Sequence, residues 1–419
     1  MRGQGRMIPS SLSKISLLCA VLMAVLSGCV VKDTRPLPKM QAVQASAQIP
    51  ETELLDLAIR HFETGIPEKW VDNQEALEKR RIYPDVRNAE ARLLPMRLRA
   101  TLESTGQWGA VRVVPESVQF VDVLVSGRIL ESSGAQLELM LTVVDAAGRV
   151  WIRDKKYSGE ADLGSYKTDA ALRARDPFQN VYAQIANDLL AARNTLTAAE
   201  RRDLRRIAEL RFAADLDPAS FSGYLRQDSN GRVQIQRLPA DDDPALVRIS
   251  KIRDRDAAVI DTLDGYAQEF SDKLFDSYGG FRRTSREAIE REDKARAQAM
   301  TRTALGAAAV LASIFASGNC APGDYNCQRI DSAVRTAGAV GGVAAVMSGI
   351  KKFADANMAA NEMKELAASF SNEAAAQTVE IEGRTLKLTG TAEEQYREWR
   401  RLLAAIYREE NAPLPTPGL

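Results

Sequence analysis

The spacing of apolar residues over residues 51–195 is typical of an α/β unit. Near its start, apolar residues alternate with other residues and predict a strand; they are Leu55, Leu57 and Ile59. Residues 86–103 have the apolar spacing of a helix, and Gly106 is expected to end it. Pro95 predicts either a kink in this helix or its true start.

Four strand-like runs follow this helix, at residues 110–114, 121–131, 136–144 and 149–157. Turn sequences separate the later runs: Ser133-Gly134 and Asp145-Ala-Ala-Gly148. One side of the third run is apolar, whereas Glu138 and Thr142 lie on the other, so we expect an antiparallel meander with one side facing solvent. Asp176-Pro177 then predicts the start of a second helix.

Residues 196–419 are predicted to be mainly helical, with short β-hairpins. The capping-box sequence from Thr197 to Glu200 opens a helix. Four arginines of this helix are expected to form an exposed charged face: Arg201, Arg202, Arg205 and Arg206. Asn230-Gly231 predicts a hairpin, Asp243-Pro244 a helix start, and Gly279-Gly280 a break or bend in the helical run.

The last third of the chain contains a predicted apolar helical hairpin over residues 304–350. Its two helices, residues 304–316 and 333–350, are rich in small residues that allow close packing. Burial within a helical region is favoured over insertion into a membrane or a partner. A β-hairpin over residues 379–388 and an amphipathic helix to about residue 410 are expected to follow.

The beginning of the chain has the pattern of a secretory signal. Basic residues precede an apolar run at residues 15–26, which is too short to span about 30 Å of hydrocarbon. The run ends in Leu26-Ser27-Gly28-Cys29, which resembles the lipobox of bacterial lipoprotein precursors. The resemblance implies that residues 1–28 are removed, that Cys29 carries lipid on its thiol, and that its new amine is acylated. The alternative is an ordinary signal peptide with a chance cysteine.

The resemblance also bears on location. In Gram-negative lipoproteins an Asp after the lipidated cysteine commonly retains the protein in the inner membrane, and Val30 stands there in this chain. We therefore expect a lipid-anchored protein of the cell outer membrane that faces the periplasm, with exposure at the cell surface as the alternative. Residues 29–50 lack periodic apolar positions and are predicted to tether the folded part to the membrane.

Composition limits the kinds of partner and of cross-link. The 419 residues contain 56 basic and 56 acidic side chains, and removal of residues 1–28 leaves a net charge of −3, which gives no reason to expect nucleic acid. Of the four cysteines, Cys19 lies in the signal. In an oxidising compartment Cys320 and Cys327 are expected to form a disulfide, with a pair of free thiols as the alternative.

Residues 51–195 also resemble the small α/β domain of envelope proteins, such as the TolB N-terminal domain, the CsgG-like curli secretion lipoproteins and ABC-transport auxiliary lipoproteins. The similarity lies in four short patterns: a helix that ends before Gly106-Gln-Trp108, a strand with the pattern Val-x-Val, a strand with Val125-Ser-Gly127, and the hairpin sequence Asp145-Ala-Ala-Gly-Arg-Val-Trp151. In those families the domain mediates assembly or partner binding. The resemblance implies no catalytic residues for this chain.

Few residue patterns in the chain point to catalysis. His61 is the single histidine, which removes most acid–base chemistry near neutral pH, and we interpret it as structural. The sequence has no Gly-x-Ser-x-Gly pattern, and residues 341–352 depart from the phosphate-loop spacing. Asp241-Asp242-Asp243 lacks the ligand spacing of a calcium loop. No cofactor or metal site is predicted.

These patterns together predict an α+β protein with an N-terminal α/β domain and a mainly helical remainder. The favoured function is a non-catalytic binding or assembly component of the cell envelope, with an envelope protein as partner. Two alternatives stay open. One is an oligomeric accessory lipoprotein of a secretion or transport system. The other is an enzyme with unfamiliar carboxylate chemistry.

Overall fold

A computed structural model describes residues 39–162, 175–240, 242–315 and 392–410, with backbone alone for residues 277, 301–315 and 409–410. Several predicted features lie outside these residues. They are the signal peptide with Cys29, the tether up to residue 38, the Cys320–Cys327 pair, the second helix of the apolar hairpin and the hairpin at 379–388. The described residues combine a sheet in the first half with mainly helical structure after it, which confirms the predicted α+β class.

Five strands form the sheet, in the spatial order β2-β1-β3-β4-β5. The strands are β1 (Leu57–Arg60), β2 (Val111–Val114), β3 (Val123–Ser132), β4 (Gln136–Asp145) and β5 (Val150–Glu160). The last three pair antiparallel in sequence order, as the predicted meander requires. β2 is not part of this meander. It pairs parallel with β1, and β1 also pairs parallel with β3. The short β1 therefore lies between two strands that come much later in the sequence.

One face of the sheet packs on helices and forms the main core. After the short helix α1 (Gln74–Lys79), two longer helices provide most of this cover, α2 (Pro84–Ser104) and α3 (Gln179–Arg193). Alternation along β4 places Leu137, Leu139, Leu141 and Val143 in this core at 0% exposure. The core continues into Leu196, Leu204 and Ile207 of the following segment, because these residues bury apolar surface against the same cluster.

The opposite face is covered at β1 and β2 and half-exposed along β4. Helices α6 (Pro244–Lys273) and α8 (Ala392–Glu410) supply Val259, Leu263 and Tyr396 to a second cluster. That cluster also contains Ala58 and Val114, which point away from the main core. The expected solvent-facing side is therefore present only over part of the sheet, and three layers form at the β1–β2 end.

Helix α2 passes through Pro95 without ending there. A proline removes the hydrogen bond to the carbonyl four residues earlier, which is that of Ala91. In this fold the Ala91 carbonyl accepts a hydrogen bond from the backbone amide of Phe62, 2.9 Å away. The acceptor freed by the proline is used to join the helix to the end of β1.

Helix α4 (Ala198–Leu216) begins at the predicted capping box, in which Thr197 and Glu200 each bind the other's backbone amide. We expected its four arginines to form an exposed face, but only Arg202 and Arg206 are exposed, and Arg201 and Arg205 are half-buried. Arg201 Nη2 donates to Glu53 Oε2 at 2.6 Å, and Arg205 Nη1 donates to the carbonyls of Glu51 and Leu54. These contacts fix the segment that enters β1.

A small two-stranded sheet follows α4 and the single-turn helix α5 (Pro218–Phe221). Its strands are β6 (Leu225–Gln227) and β7 (Val233–Ile235), on either side of the predicted Asn230-Gly231 turn. Gly231 has φ +79°, a conformation that glycine adopts without strain. The amide of Val233 donates to the Ala147 carbonyl, which attaches this sheet to the β4–β5 turn.

Helix α7 (Phe275–Phe315) is continuous over 41 residues and runs through Gly279-Gly280. The predicted break at these glycines is therefore wrong. The helical run is interrupted one turn earlier, at Leu274 between α6 and α7. Packing explains the continuity, because the turns after the glycines bury Phe281, Ala288 and Ile289. Tertiary contacts of this kind override the low helix propensity of glycine.

The first described residues lie along α3. Asn180 Oδ1 accepts from the amide of Met40 at 3.0 Å, and Asn187 Oδ1 accepts from the amide of Val43 at 2.9 Å. The Asn187 side chain also donates to the Gln41 carbonyl, and the Ala45 amide donates to the carbonyl of Thr105. Part of the segment predicted as a tether is thus bound to the folded body.

Candidate functional site

A hollow lies where three segments of the chain meet. It encloses about 370 Å³ between α2, the residues just before α3, and the first turns of α7. This volume is within the range of small-molecule sites. Four arginines and two aspartates are among its lining residues: Arg97, Arg175, Arg282, Arg283, Asp176 and Asp276. The formal balance of these side chains is an excess of two positive charges.

Asp176 lies between two of these arginines at distances longer than hydrogen bonds. Its carboxylate is 3.7 Å from Arg97 Nε and 3.6 Å from Arg282 Nη1. The same carboxylate accepts from the amide of Phe178 at 2.8 Å, which forms the turn into α3. Helix α3 begins at Gln179, slightly later than Asp176-Pro177 predicted. Asp176 stabilises the turn before the helix through its hydrogen bond to Phe178.

Aromatic rings hold two of the guanidinium groups in place. The Arg97 guanidinium carbon lies 4.9 Å from the ring centre of Phe275, which is 40% exposed at the mouth of the hollow. Arg282 is 1% exposed and lies over both Tyr278 and Phe178, at 4.3 and 4.6 Å. A guanidinium that stacks on an aromatic ring uses its flat face, and its N–H groups point outward from its edge in the plane of the group.

A buried carboxylate supports the wall behind Tyr278. Glu90 on α2 is 1% exposed and accepts from the Tyr278 hydroxyl at 2.7 Å and from the Ser132 hydroxyl at 2.6 Å. Burial raises the pKa of Tyr278 well above its usual value, so this phenol keeps its proton and donates it. Glu90 thereby joins α2, β3 and α7 beside the hollow.

The β3–β4 turn supports α7 from behind. A Cβ atom on Gly134 would lie 2.1 Å from the Arg282 carbonyl oxygen and 2.5 Å from the Arg286 amide nitrogen. Only glycine permits this approach of the two backbones. The position of Arg282 therefore depends on the close contact between a hairpin of the sheet and α7.

His61, which the sequence analysis considered for catalysis and interpreted as structural, is described and is not among the residues that line the hollow. Burial of the imidazole, with a smaller contribution from the nearby Arg92, lowers the pKa of His61 to about 4. The side chain is neutral at pH 7 and does not gain a proton until well below it. Cys29, Cys320 and Cys327 lie outside the described residues, so their predicted roles stay predictions.

Other buried carboxylates bind backbone amides or aromatic donors at joints between elements. Asp264 of α6 accepts from the Val113 amide at 2.7 Å, on the outer edge of β2. Asp145 accepts from the Trp151 indole, 2.9 Å away, across the β4–β5 turn. Burial raises the pKa of both carboxyl groups, and these hydrogen bonds act in the opposite direction. Their contacts indicate structural roles in linking the sheet and helices.

Sequence reasoning missed the hollow because its arginines come from three segments far apart along the chain. Arg97, Arg175 and the pair Arg282-Arg283 show no local spacing that would group them. One signal was present but misread. Gly279 and Gly280 leave open space beside the helix, with no atom within 4 Å of a Cβ at either position.

Within the described residues no helix has both the length and the hydrophobicity of a membrane span. The same part of the chain holds no group of three or more histidine, cysteine and acidic side chains placed to bind a metal ion. Comparison of the whole chain with family models, curated proteins and solved structures finds no match.

Proposed function

We propose that this protein is a lipid-anchored component of the cell envelope that binds a ligand or partner without catalysing a reaction. The lipobox-like sequence Leu26-Ser27-Gly28-Cys29 carries the proposal, since it would place acyl chains on Cys29. Val30 favours the outer membrane, with the folded body on the periplasmic side. The partner is another protein of the envelope.

Two structural observations support a binding role. The hollow beside Arg97 is large enough for a small ligand and has prearranged cationic groups on its wall. The buried acidic groups described above, by contrast, contact backbone amides and aromatic donors that hold elements together. The single imidazole stays neutral well below pH 7. The chemistry best supported is recognition.

The anchor is tested by replacing Cys29 with Ala in the native host. We expect loss of labelling by radioactive palmitate and release of the protein from the membrane fraction. Cys19→Ala is the matched control, because this cysteine lies within the apolar run of the signal, and it should label and fractionate like the wild type. Unchanged membrane fractionation of the Cys29→Ala protein would contradict the proposal.

The assembly role is tested separately by cross-linking in intact cells and identification of the linked proteins. We expect a reproducible envelope neighbour. Complexes that contain several copies of this chain would favour the alternative of an oligomeric secretion or transport accessory. A protein that remains monomeric without any cross-linked neighbour would contradict both assembly roles.

A further inference from the structure

The charge of the arginine-lined hollow suggests the kind of ligand that it binds. Its four arginines and two aspartates leave an excess of two positive charges. Asp176 is shared between two of these arginines, since its carboxylate lies 3.7 Å from Arg97 Nε and 3.6 Å from Arg282 Nη1 and also accepts from the Phe178 amide. A dianion would balance the excess, whereas a single carboxylate would balance half of it.

The arrangement of the donors also favours an anionic ligand with several oxygen atoms. Arg97 lies on α2, Arg175 precedes α3, and Arg283 lies on α7, so an enclosed ligand would be approached from three sides. Phe275 holds the Arg97 guanidinium by its flat face and leaves its N–H edge able to donate. Arg175 Nη2 donates to Asn180 Oδ1 at 3.1 Å, which fixes that side chain near the start of α3. Donors from several directions suit a tetrahedral oxyanion better than a planar one.

We infer that this hollow binds a phosphate group, contacted by Arg97, Arg175 and Arg283. A phosphate monoester carries a charge of about −1.5 to −2 at pH 7, which matches the excess charge of the hollow. The exposed ring of Phe275 at the mouth provides an apolar surface for whatever the phosphate is attached to. The inference rests on the proposed function only in taking the hollow as the binding site of this protein, and it does not require the lipid anchor.

Calorimetric titration of the full chain in detergent with inorganic phosphate tests the inference, at constant ionic strength set with chloride. We expect saturable binding that weakens at least tenfold in Arg97→Gln and in Arg283→Gln. Arg153→Gln, at an exposed position on β5, is the matched control and should bind like the wild type. Equal phosphate binding by the wild type and both variants of the hollow, or no phosphate binding by the wild type, would overturn the inference.

Arg97 also contacts Phe275 and Asp176, so Arg97→Gln could fail to fold. Arg283 is exposed, and Arg283→Gln therefore keeps the test valid if circular dichroism shows a native helix content. Arg283→Lys retains the charge but not the planar fork, and we expect it to bind phosphate with intermediate affinity. Binding by Arg283→Lys that is no better than by Arg283→Gln would contradict the charge argument.

Three further titrants identify the source of the phosphate. Tighter binding of glycerol 3-phosphate than of dihexanoyl phosphatidic acid, which is also a phosphate monoester, would support a soluble phosphate ester, and the reverse order would support a lipid headgroup. Succinate is the carboxylate comparison, and we expect it to bind more weakly. Succinate binding as tight as that of phosphate, with the same dependence on Arg283, would overturn the assignment to phosphate. None of these outcomes changes the fractionation of Cys29→Ala, so the two proposals fail independently.

Discussion

The backbone amide of Asp56 donates a hydrogen bond to the carboxylate of Asp122, with 2.9 Å between N and Oδ2. The Asp56 carboxylate in turn accepts from the amide of Ala110 at 2.8 Å. This chain of hydrogen bonds joins the residues that precede β1, β2 and β3. The three strands therefore start in a fixed register at a pair of acidic residues, of which Asp122 is buried and Asp56 is half-buried.

Asp122→Asn is expected to alter the dependence of stability on pH. Burial, with repulsion from Asp56, raises the pKa of Asp122 to about 6 from an ordinary value of 3.8. Because the folded-state pKa is the higher one, this group contributes stability that is fully present below pH 3.8 and lost as the pH rises through about 6.

The asparagine keeps an acceptor for the Asp56 amide and carries no charge. Between pH 4 and pH 7.5 we therefore expect the free energy of unfolding of Asp122→Asn to rise relative to wild type by about 2–3 kcal/mol. Urea unfolding at several pH values measures the difference, in which contributions from other groups cancel. Asp72→Asn, at an exposed position, is the control. A difference that stays constant with pH would show that Asp122 is not perturbed.

The single histidine allows a direct measurement of its charge. Burial lowers the pKa of His61 to about 4, so its ring proton and carbon resonances should not titrate between pH 5.5 and pH 8. The chain contributes one imidazole to the spectrum, which removes any ambiguity of assignment. A midpoint near 6.5 in the NMR titration would mean that the imidazole is solvated, and it would reopen the question of acid–base chemistry.

Asp256→Ala is expected to loosen the C-terminal helix α8. Asp256 is 6% exposed and accepts from the Tyr396 hydroxyl at 3.1 Å and from the Trp399 indole at 3.2 Å. Loss of this acceptor leaves two donors without their partner at a buried joint, at a cost of about 2–4 kcal/mol. Hydrogen exchange should accelerate over residues 392–410. Asp254→Ala changes an exposed residue of α6, the helix that also carries Asp256, and it should leave this exchange unchanged.

Gly109→Ala is expected to destabilise the start of β2. A Cβ at this position would lie 2.2 Å from Asp56 Oδ1, so the acidic residue would have to move and lose its hydrogen bond to Ala110. We expect a cost of about 2–4 kcal/mol. Gly265→Ala is the contrasting change, since no atom lies within 4 Å of its Cβ in α6. It should stabilise the protein by up to about 1 kcal/mol in thermal unfolding.

Asn187→Ala should detach the first described segment from α3. It removes the acceptor for the Val43 amide and the donor to the Gln41 carbonyl, at a site near the surface. We expect trypsin to cut after Lys39 severalfold faster, with little change in global stability. Gln184→Ala on the same helix is the control. Cleavage at equal rates in the two variants would show that these hydrogen bonds do not hold the segment.

The parts of the fold that local sequence encodes were predicted well. Thr197 with Glu200, Asn230 with Gly231, and Asp243 before Pro244 each form the cap or turn that their residue types favour. These features depend on hydrogen bonds within a few residues, so their signal is contained in a short stretch of sequence. The antiparallel order of β3, β4 and β5 followed in the same way from their short turns.

The errors concern contacts between distant residues. The parallel pairing of β2 with β1 joins segments more than fifty residues apart, and no turn sequence encodes it. Arg201 and Arg205 were predicted to face solvent, because their partners Glu53 and Leu54 lie far away from them in the sequence. The arginines of the hollow were missed for the same reason. Charge on a helix indicates what it can bind, and only the fold identifies the partner.

The binding of residues 40–45 along α3 has a mechanical consequence. Eleven residue steps separate Cys29 from Met40, and at about 3.5 Å each they reach at most roughly 40 Å. If Cys29 is acylated, this length sets the greatest distance from the bilayer at which Met40 can lie. A force applied to the chain before Met40 would act first on the hydrogen bonds that Asn180 and Asn187 accept from Met40 and Val43. The sheet and the arginine-lined hollow would feel this force only after those hydrogen bonds had broken.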